Sequence, residues 1–278
     1  MSDTSKTTVE TQVQEKPVPL NAKEEAQEFF KTISFALIFA LVIRMFLFEP
    51  FNIPSGSMKP TLLVGDYLLT NKSAYGYGQY SFSVFFKVYI PAPFEGRAMA
   101  KEPKRGDIAV FFLPQIGENY IKRVVGMPGE KIQVKRGRLF INEKMVPRES
   151  LGLVEENGNV LTEYIETLPG GILHRIYERG DAEPLDNTIT YTVPEGHYFM
   201  MGDNRDNSRD SRVLEEVGYV PFKDFVGRAD VLFFSTNGSA RAYEVWKWPW
   251  AIRFKRLFNL IGPVRPDSPE TQDTNTQG

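Results

Sequence analysis

The sequence predicts a mainly β protein that is preceded by one transmembrane helix. Between about residue 49 and residue 237 the apolar runs are short and are separated by Gly, Pro and Asn, a pattern typical of strands joined by turns. Near the start, one apolar stretch of roughly 20 residues matches the thickness of a bilayer's hydrocarbon core. Strand-like and helix-like segments do not alternate and no segment repeats, so neither an α/β fold nor a solenoid is indicated.

The first 48 residues divide into a polar tail and an apolar span. Residues 1–28 are mostly Ser, Thr, Glu, Gln and Lys, too polar to bury enough surface to order themselves, and are predicted to be a disordered tail. Residues 29–48 have an uninterrupted apolar centre from Phe35 to Ile43, with Lys31 and Arg44 toward its ends. Those two side chains can extend to the headgroups, so residues 29–48 are predicted to be an uncleaved transmembrane anchor.

Two other interpretations compete for the apolar span. A cleaved signal peptide needs a site with small residues after the apolar run, and the sequence EPFNIPSGS that follows Phe48 has none. A buried core helix stays an alternative, although apolar residues cover every face of this one. Lysine and arginine are balanced on the two sides of the span, so the positive-inside rule leaves its orientation open.

Several short apolar runs in the body are predicted to be strands. They are IAVFFL, YIKRVVGM, KIQVKRGRLFIN, TITYTV, HYFMMGD and ADVLFFS. In the third run, Arg136 and Gly137 separate two alternating halves, as the turn of a hairpin does. Two intervening segments, residues 73–103 and 147–187, are too long for simple loops and are expected to carry structure of their own.

The end of the chain combines aromatic and basic side chains. Residues 245–262 interleave Trp and Phe with Lys and Arg and contain no acidic residue. One interpretation is a segment that lies in the headgroup region of a membrane. The other is a terminal helix that packs on the domain with its basic face in water. Residues 264–278 are polar again and are predicted to be disordered.

Composition removes several kinds of chemistry. The 33 Lys and Arg nearly balance the 35 Asp and Glu, so no basic field for nucleic acid is expected. The chain has no Cys, which excludes disulfides, thiol nucleophiles and cysteine metal sites. Its two histidines, His174 and His197, lie far along the chain from any serine-rich motif, which disfavours a zinc site or a Ser-His-Asp triad. An enzyme of this composition would use Ser, Lys, Asp or Glu.

The first candidate segment is IPSGSMKPTL, residues 53–62. Ser55 and Ser57 flank Gly56, and Pro54 and Pro60 stiffen the loop around them. Such a loop can present two hydroxyl groups to a substrate. The alternative is an ordinary turn whose serine hydroxyls bond to their own backbone.

The second candidate segment is NYIKRVVGMPGE, residues 119–130. Neighbouring residues of a strand point to opposite faces, so Lys122 and Arg123 cannot both face water if the strand is half buried. Burial of Lys122 would lower the pKa of its amine and make the neutral form available as a base. In the alternative, Lys122 is exposed and Arg123 is held in an ion pair.

The third candidate segment is GDNRDNSRDSR, residues 202–212. Its equal numbers of Asp and Arg favour a loop that is held in shape by ion pairs. The rival interpretation is a calcium loop, but the spacing of an EF-hand fails because Arg205 occupies a ligand position and no Gly follows where one is needed. Metal binding is therefore not the expected role.

Together these segments suggest a Ser-Lys hydrolase. A serine hydroxyl is a weak nucleophile until a base removes its proton, and a desolvated lysine is the base that this composition leaves. Acyl transfer also needs donors aimed at the developing oxyanion, which Ser55 and backbone N–H groups can supply.

Four segments resemble the successive conserved boxes of bacterial type I signal peptidases. They are EPFNIPSGSMKPTL, RGDIAVF, YIKRVVGMPG and GDNRDNSRDSR, in the order of the family and after a membrane span. The resemblance implies a serine endopeptidase that removes signal peptides from exported preproteins after Ala-x-Ala, without a cofactor or metal. It also implies a signal-peptidase-like β catalytic core with a second, variable β region.

The resemblance assigns a role to each matching residue. It makes Ser57 the nucleophile, Lys122 its general base, and the Ser55 hydroxyl, with the Ser57 N–H, the oxyanion hole. Ser208 would orient the Lys122 amine by a hydrogen bond. The ionic residues that would brace the site are Asp203, Arg205, Asp210, Arg212 and Arg123. The residues that would line shallow pockets for small side chains are Ile53, Met58, Leu62, Tyr120 and Ile121.

The implied organisation places the tail in the cytoplasm, the anchor in the bacterial inner membrane and the peptidase domain, residues 49–263, on the outer face. The variable β region would be about residues 147–194. Ser57 lies nine residues after Phe48, so an extended link keeps it within about 30 Å of the span. The expected partners are secretory preproteins and the lipid bilayer, with no nucleic acid; the sequence indicates no oligomeric state.

Three rivals remain to be compared with this interpretation. A self-cleaving protein of the SOS-repressor kind would need an internal scissile loop and would lack the anchor. A eukaryotic-type signal peptidase subunit would be expected to carry His in place of Lys122. A membrane-tethered β domain that only binds partners would have no reason to keep Ser55, Ser57, Lys122 and Ser208 together.

Overall fold

The computed structural model describes residues 22–82, 96–156, 158–240 and 244–263. The predicted disorder of residues 1–21 and 264–278 lies outside the described residues, as does the middle of the segment 73–103. The chain separates into two compact units, Met1–Leu41 and Val42–Gly278.

Helix α1 spans Ala22–Phe46 and supplies the candidate membrane span. It begins before residue 29 because residues 22–28, AKEEAQE, are good helix formers; the prediction of a disordered tail is wrong for them. Within it, Lys23–Phe46 is long and apolar enough to cross a membrane, with a mean hydropathy of 1.9 and none of its apolar window buried. The alternative of a buried core helix is therefore wrong.

The described residues of the body form fifteen strands, numbered in chain order. Their bounds are β1 Phe48–Asn52, β2 Asp66–Asn71, β3 Ile108–Leu113, β4 Glu118–Gly126, β5 Lys131–Lys135, β6 Arg138–Ile141, β7 Lys144–Met145, β8 Arg148–Glu156, β9 Asn159–Leu168, β10 Ile172–Glu178, β11 Tyr191–Thr192, β12 His197–Met201, β13 Val220–Pro221, β14 Phe225–Ser235 and β15 Asn259–Leu260. The prediction of a mainly β fold is confirmed.

These strands of the described ranges form three sheets. The largest has the order β1-β2-β14-β3-β4-β12-β13, and β15 pairs with β14 at Val231 and Leu232. A four-stranded sheet has the order β11-β5-β6-β7, and a three-stranded sheet has the order β10-β9-β8. The last sheet is formed by described residues within the segment 147–187, so the prediction that this segment carries structure of its own is confirmed.

Individual strands follow their sequence signals to different degrees. The run IAVFFL is strand β3 over its full length. Arg136 and Gly137 both have positive φ, 48° and 67°, as a two-residue hairpin turn between β5 and β6 requires. The run TITYTV keeps only Tyr191 and Thr192 as a strand, because it pairs with β5 along just those two residues.

The described ends of the segment 73–103 fold onto the body. Tyr77 and Ala98 form an isolated β-bridge between the two ends. Arg97 donates to the carbonyl oxygens of Gly76 at 2.7 Å and Phe222 at 3.3 Å, and its guanidinium lies 4.8 Å from the centre of the Phe222 ring. These contacts give the segment a structural role near β14.

The C-terminal segment is not a long packed helix. It forms the short helix α2, Trp248–Ala251, between single 3-10 turns, so that alternative is wrong. Trp246 and Trp250 are 64% and 77% exposed. The segment is held to the body through Arg256, which donates to Asp66 at 2.6 Å and to the Thr61 carbonyl at 3.0 Å.

Candidate active site

The buried side chains of Ser57 and Lys122 are in direct contact. Ser57 lies in the loop after β1, and Lys122 lies in the middle of β4. A hydrogen bond of 2.7 Å joins Ser57 Oγ and Lys122 Nζ, although 65 residues separate them along the chain. Lys122 is 4% exposed and Ser57 is 8% exposed, so both residues are largely shielded from bulk water.

The position of β4 explains why Lys122 is buried. This strand lies between β3 and β12 in the largest sheet, and apolar side chains cover both of its faces. Arg123 is buried as well, at 0% exposure. The alternative that Lys122 is exposed is therefore wrong, while its second part, that Arg123 is held in an ion pair, is confirmed.

Burial changes the acidity of Lys122. Loss of hydration disfavours the ammonium form and lowers the pKa of Lys122 to about 8, even though the carboxylates of Asp210 and Asp203 act in the opposite direction. The neutral amine is therefore populated at mildly alkaline pH. In that form the Ser57 hydroxyl can donate its proton to Lys122, which is the contact that a general base needs.

Ser55 lies next to the Ser57 hydroxyl and is exposed to solvent. Its Oγ lies 3.4 Å from Ser57 Oγ. A hydroxyl in this position can rotate toward a substrate oxygen that approaches Ser57. The arrangement fits the oxyanion role that the resemblance implies for Ser55.

Asn204 fastens the serine loop to the loop of residues 202–212. Its backbone N–H donates to the Ser57 carbonyl at 3.0 Å, and its side-chain amide donates to the Gly56 carbonyl at 3.1 Å. Gly202 is necessary for this close approach, because a Cβ there would lie 2.5 Å from the Ser57 carbonyl oxygen and 2.2 Å from Ser208 Oγ. Sequence reasoning missed the role of Asn204.

Buried ion pairs stabilise the loop of residues 202–212. Asp203 accepts two hydrogen bonds from Arg123, at 2.8 and 2.6 Å, and Thr61 donates to the same carboxylate at 2.5 Å. Asp210 pairs with Arg212 at 2.8 and 2.9 Å. Burial by itself would raise the pKa of Asp203, but Arg123 outweighs it and holds that pKa well below its usual range.

Arg205, the first arginine of the loop, pairs with a residue outside the candidate segments. Arg205 donates to both carboxylate oxygens of Glu166, a buried residue of β9. Burial would raise the pKa of Glu166, but Arg205 and His174 lower it to about 2. His174, in β10, lies 3.1 Å from Glu166 and 3.4 Å from Asp203. His174, far along the chain from the serine loop, is thus brought next to Asp203 of the loop of residues 202–212.

Ser208 is buried beside Asp210 and helps to lower the pKa of that carboxyl. Within the described part of the chain its hydroxyl makes no hydrogen bond of normal geometry. The hydrogen bond that would orient the Lys122 amine is therefore not formed in this structure. An orienting role for Ser208 stays a prediction.

The predicted pocket residues divide between two parts of the core. Ile53, Met58 and Leu62 are almost fully buried in one apolar cluster, and Ile121 packs against it while only half buried. Tyr120 is half buried against a second cluster that contains Phe111. The side chains that present partly open apolar surface beside Lys122 are therefore Ile121 and Tyr120.

Comparison with known proteins places these residues in one family. The family model described as "Signal peptidase, peptidase S26" matches residues 26–234. Signal peptidase I of Rickettsia prowazekii (strain Madrid E) is 40% identical over 255 residues, which are 89% of this chain and 91% of that protein. Signal peptidase I of Rickettsia canadensis (strain McKiel) is 43% identical over 252 residues, 88% of this chain and 89% of that protein.

A solved structure is also similar in part. The crystal structure of a signal peptidase I from Enterococcus faecalis V583 is 29% identical, with a TM-score of 0.29. It covers 46% of this chain, and 97% of that structure is matched.

Proposed function

The chain belongs to the signal peptidase family, peptidase S26, and is a serine peptidase that removes signal peptides from preproteins; we propose that Ser57 is its nucleophile and Lys122 its general base. The observation that carries this assignment is the buried hydrogen bond of 2.7 Å between Ser57 Oγ and Lys122 Nζ. A binding domain without catalysis would gain nothing from burying a lysine amine against a serine hydroxyl, since desolvation of an amine is costly.

The proposed reaction proceeds through an acyl-enzyme. The neutral Lys122 amine takes the proton of Ser57 as its Oγ attacks the carbonyl carbon of the scissile peptide bond. The tetrahedral intermediate then collapses, and the Lys122 ammonium returns the proton to the leaving amine of the mature protein. A water molecule, deprotonated by the same amine, then attacks the carbonyl carbon of the ester on Ser57. The bond from that carbon to Ser57 Oγ breaks, the Lys122 ammonium returns the proton to Oγ, and the signal peptide leaves with a free carboxyl group.

Two donors would stabilise the oxyanion of each tetrahedral intermediate. The Ser55 hydroxyl, 3.4 Å from Ser57 Oγ, is on the exposed side from which a substrate carbonyl approaches. The Ser57 backbone N–H is the second donor. Removal of one such donor typically lowers kcat by about 10²- to 10³-fold.

Specificity for Ala-x-Ala is proposed to follow from the small apolar surface beside the dyad. Ile53, Met58 and Leu62 are buried in one apolar cluster, and half-buried Ile121 packs against it; the proposal is that the surface supported by this cluster accepts a methyl group and not a larger side chain. Close-packed interiors of this kind accommodate added volume poorly.

Cleavage of a defined preprotein tests the proposed function. Full-length chain purified in detergent is expected to cut a preprotein with an Ala-x-Ala site immediately after the second Ala, as read from the mass and N-terminal sequence of the product. A preprotein with Phe in place of that second Ala should be cleaved at least about 100-fold more slowly, because the pocket excludes the ring. Equal cleavage of the two substrates would contradict the proposed specificity.

The proposed location is the inner membrane of a bacterium, with α1 as a single span, its N-terminal end in the cytoplasm and the body on the outer face. Support comes from the exposed apolar side chains of Lys23–Phe46 and from the exposed Trp246 and Trp250, next to Lys247 and Arg253, which suit a headgroup region. Protease added to intact spheroplasts should digest the body. Full protection, with digestion only after lysis, would place the body on the opposite side.

A further inference from the structure

The hairpin formed by β8 and β9 contacts the loop that carries the proposed nucleophile. Its tip residue Glu156 forms an ion pair with Lys59, two residues after Ser57. We propose that this pair clamps the hairpin over the serine loop, so that the hairpin forms a wall of the cleft that binds the extended preprotein chain. Lys59 and Glu156 are then positioning residues for substrate binding, an inference that rests on the proposed function.

The ion pair is more than a surface contact. The side chains of Lys59 and Glu156 are only 16% and 22% exposed. This partial burial lowers the pKa of Lys59. The side-chain carbon atoms Cδ and Cε of Lys59 also pack against Gly56 of the serine loop. Each lies 3.4 Å from the position that a Cβ on Gly56 would occupy. Partly buried charge-assisted contacts of this kind are stronger than exposed ones.

The base of the same sheet is fixed to the other catalytic segment. Glu166, in β9, accepts hydrogen bonds from Arg205, and His174, in β10, lies against Asp203. The hairpin is therefore held at its base by the loop of residues 202–212 and at its tip by the serine loop. A peripheral insertion would not be expected to contact both segments.

A β-bulge adjusts the direction of the hairpin. The register of β8 against β9 shifts between Ser150 and Gly152, and Gly152 has a φ of 121°, a conformation that favours glycine. Bulges bend a strand and increase its local twist. Glu156, four residues later, lies on the strand face that leads to Lys59, while Glu155 points to the opposite face and is exposed.

Distances along the chain place the tip within reach of bound substrate. The Cα atoms of Lys59 and Ser57 are at most about 7.6 Å apart, because consecutive Cα atoms are separated by about 3.8 Å. An extended substrate advances about 3.3 Å per residue. With its scissile carbonyl at Ser57, three substrate residues on one side already cover about 10 Å, so the hairpin tip borders the chain that flanks the scissile bond.

Equilibrium binding separates this role from catalysis. In a Ser57→Ala background, which cannot form the acyl-enzyme, the Kd of a fluorescent signal peptide with an Ala-x-Ala site is measured by anisotropy on the full chain in detergent. Glu156→Gln is expected to raise the Kd about tenfold. The matched control Glu155→Gln should leave it within about twofold, since that side chain faces solvent. The charge exchange Lys59→Glu with Glu156→Lys should recover most of the affinity.

Hydrogen exchange of the hairpin provides a second, substrate-free measurement. Glu156→Gln should speed amide exchange in residues 154–160 by about tenfold or more, while Glu155→Gln should not. An unchanged Kd overturns the inference, even if the exchange rate rises, because the hairpin would then be clamped without touching substrate. An unchanged exchange rate overturns the clamp itself. If the unmodified chain binds the peptide and fails to cleave it, the proposed function fails while these two measurements still decide the inference.

Discussion

Replacement of Lys122 by methionine is expected to reduce the rate of preprotein cleavage by about 10³-fold or more. Methionine fills nearly the same volume, so the change removes the amine without opening a cavity. Because Lys122 is almost fully buried, loss of its charge should leave the free energy of unfolding unchanged or higher. Lys122→Arg should be equally inactive, since a guanidinium group does not lose its proton in proteins.

The same base predicts the pH dependence of the unmodified chain. The pKa of Lys122 is lowered to about 8 by burial, and the protonated amine cannot accept the proton of Ser57. Below about pH 8 the cleavage rate should therefore rise about tenfold per pH unit, and above that pH it should level off. Initial rates on the Ala-x-Ala preprotein between pH 6 and pH 10 measure this profile.

Lys144→Met is the matched control, because Lys144 is an exposed lysine of β7 far along the chain from Ser57. It should keep both the rate and the pH profile. A Lys122→Met variant that is folded by circular dichroism and cleaves at more than a tenth of the normal rate would refute the assignment of the base. So would a flat profile below pH 8.

Replacement of Arg123 by methionine is expected to lower the free energy of unfolding by about 3–5 kcal/mol. The change leaves the Asp203 carboxylate buried at 1% exposure without the two hydrogen bonds that now reach it from Arg123. Urea denaturation of the full chain in detergent measures the loss. Arg209→Met is the control, since Arg209 is 76% exposed in its pair with Glu216; it should change stability by less than about 0.5 kcal/mol.

The destabilisation by Arg123→Met should depend on pH in one direction. Arg123 now holds the pKa of Asp203 well below its usual range against the effect of burial. Without Arg123, burial should raise the pKa of Asp203 above its value in the unfolded chain. The folded variant then binds a proton at a pH at which the unfolded chain does not. The loss in free energy of unfolding relative to the unmodified chain should therefore shrink as pH falls. Adding Asp203→Asn should recover much of the lost stability. A deficit that is constant from pH 8 to pH 4 would show that Asp203 is not the source.

Some elements of the fold can be predicted from short stretches of sequence. Strand β3 and the hairpin turn at Arg136 and Gly137 depend on local alternation and on turn residues that accept positive φ. The start of α1 is harder to predict, because the residues before the apolar span are polar, which is typical of disorder, while Ala, Glu, Gln and Lys are also good helix formers.

The candidate site can be predicted from residue chemistry and from the family resemblance. Local sequence patterns do not predict the contacts that depend on distant parts of the chain. Alternation along β4 indicated that Lys122 and Arg123 could not both face water, but it did not show that both are buried, because that depends on strands β3 and β12 that pair with it from elsewhere in the chain. The pairing of Glu166 with Arg205 joins residues 39 positions apart. Nothing in the local sequence of β9 marks that glutamate as a partner of the loop.

The contact of Asn204 with the serine loop has a consequence for the electronic character of the peptide group between Gly56 and Ser57. That peptide's carbonyl oxygen accepts from the Asn204 side chain at 3.1 Å and from the Lys59 N–H at 3.1 Å. In a trans peptide the N–H points away from the carbonyl, so these two bonds also set the direction of the Ser57 N–H. Each donor on the oxygen draws electron density through the amide resonance and makes the N–H more acidic. The serine loop thereby offers a polarised dipole, already aligned before any negative charge develops on a substrate oxygen.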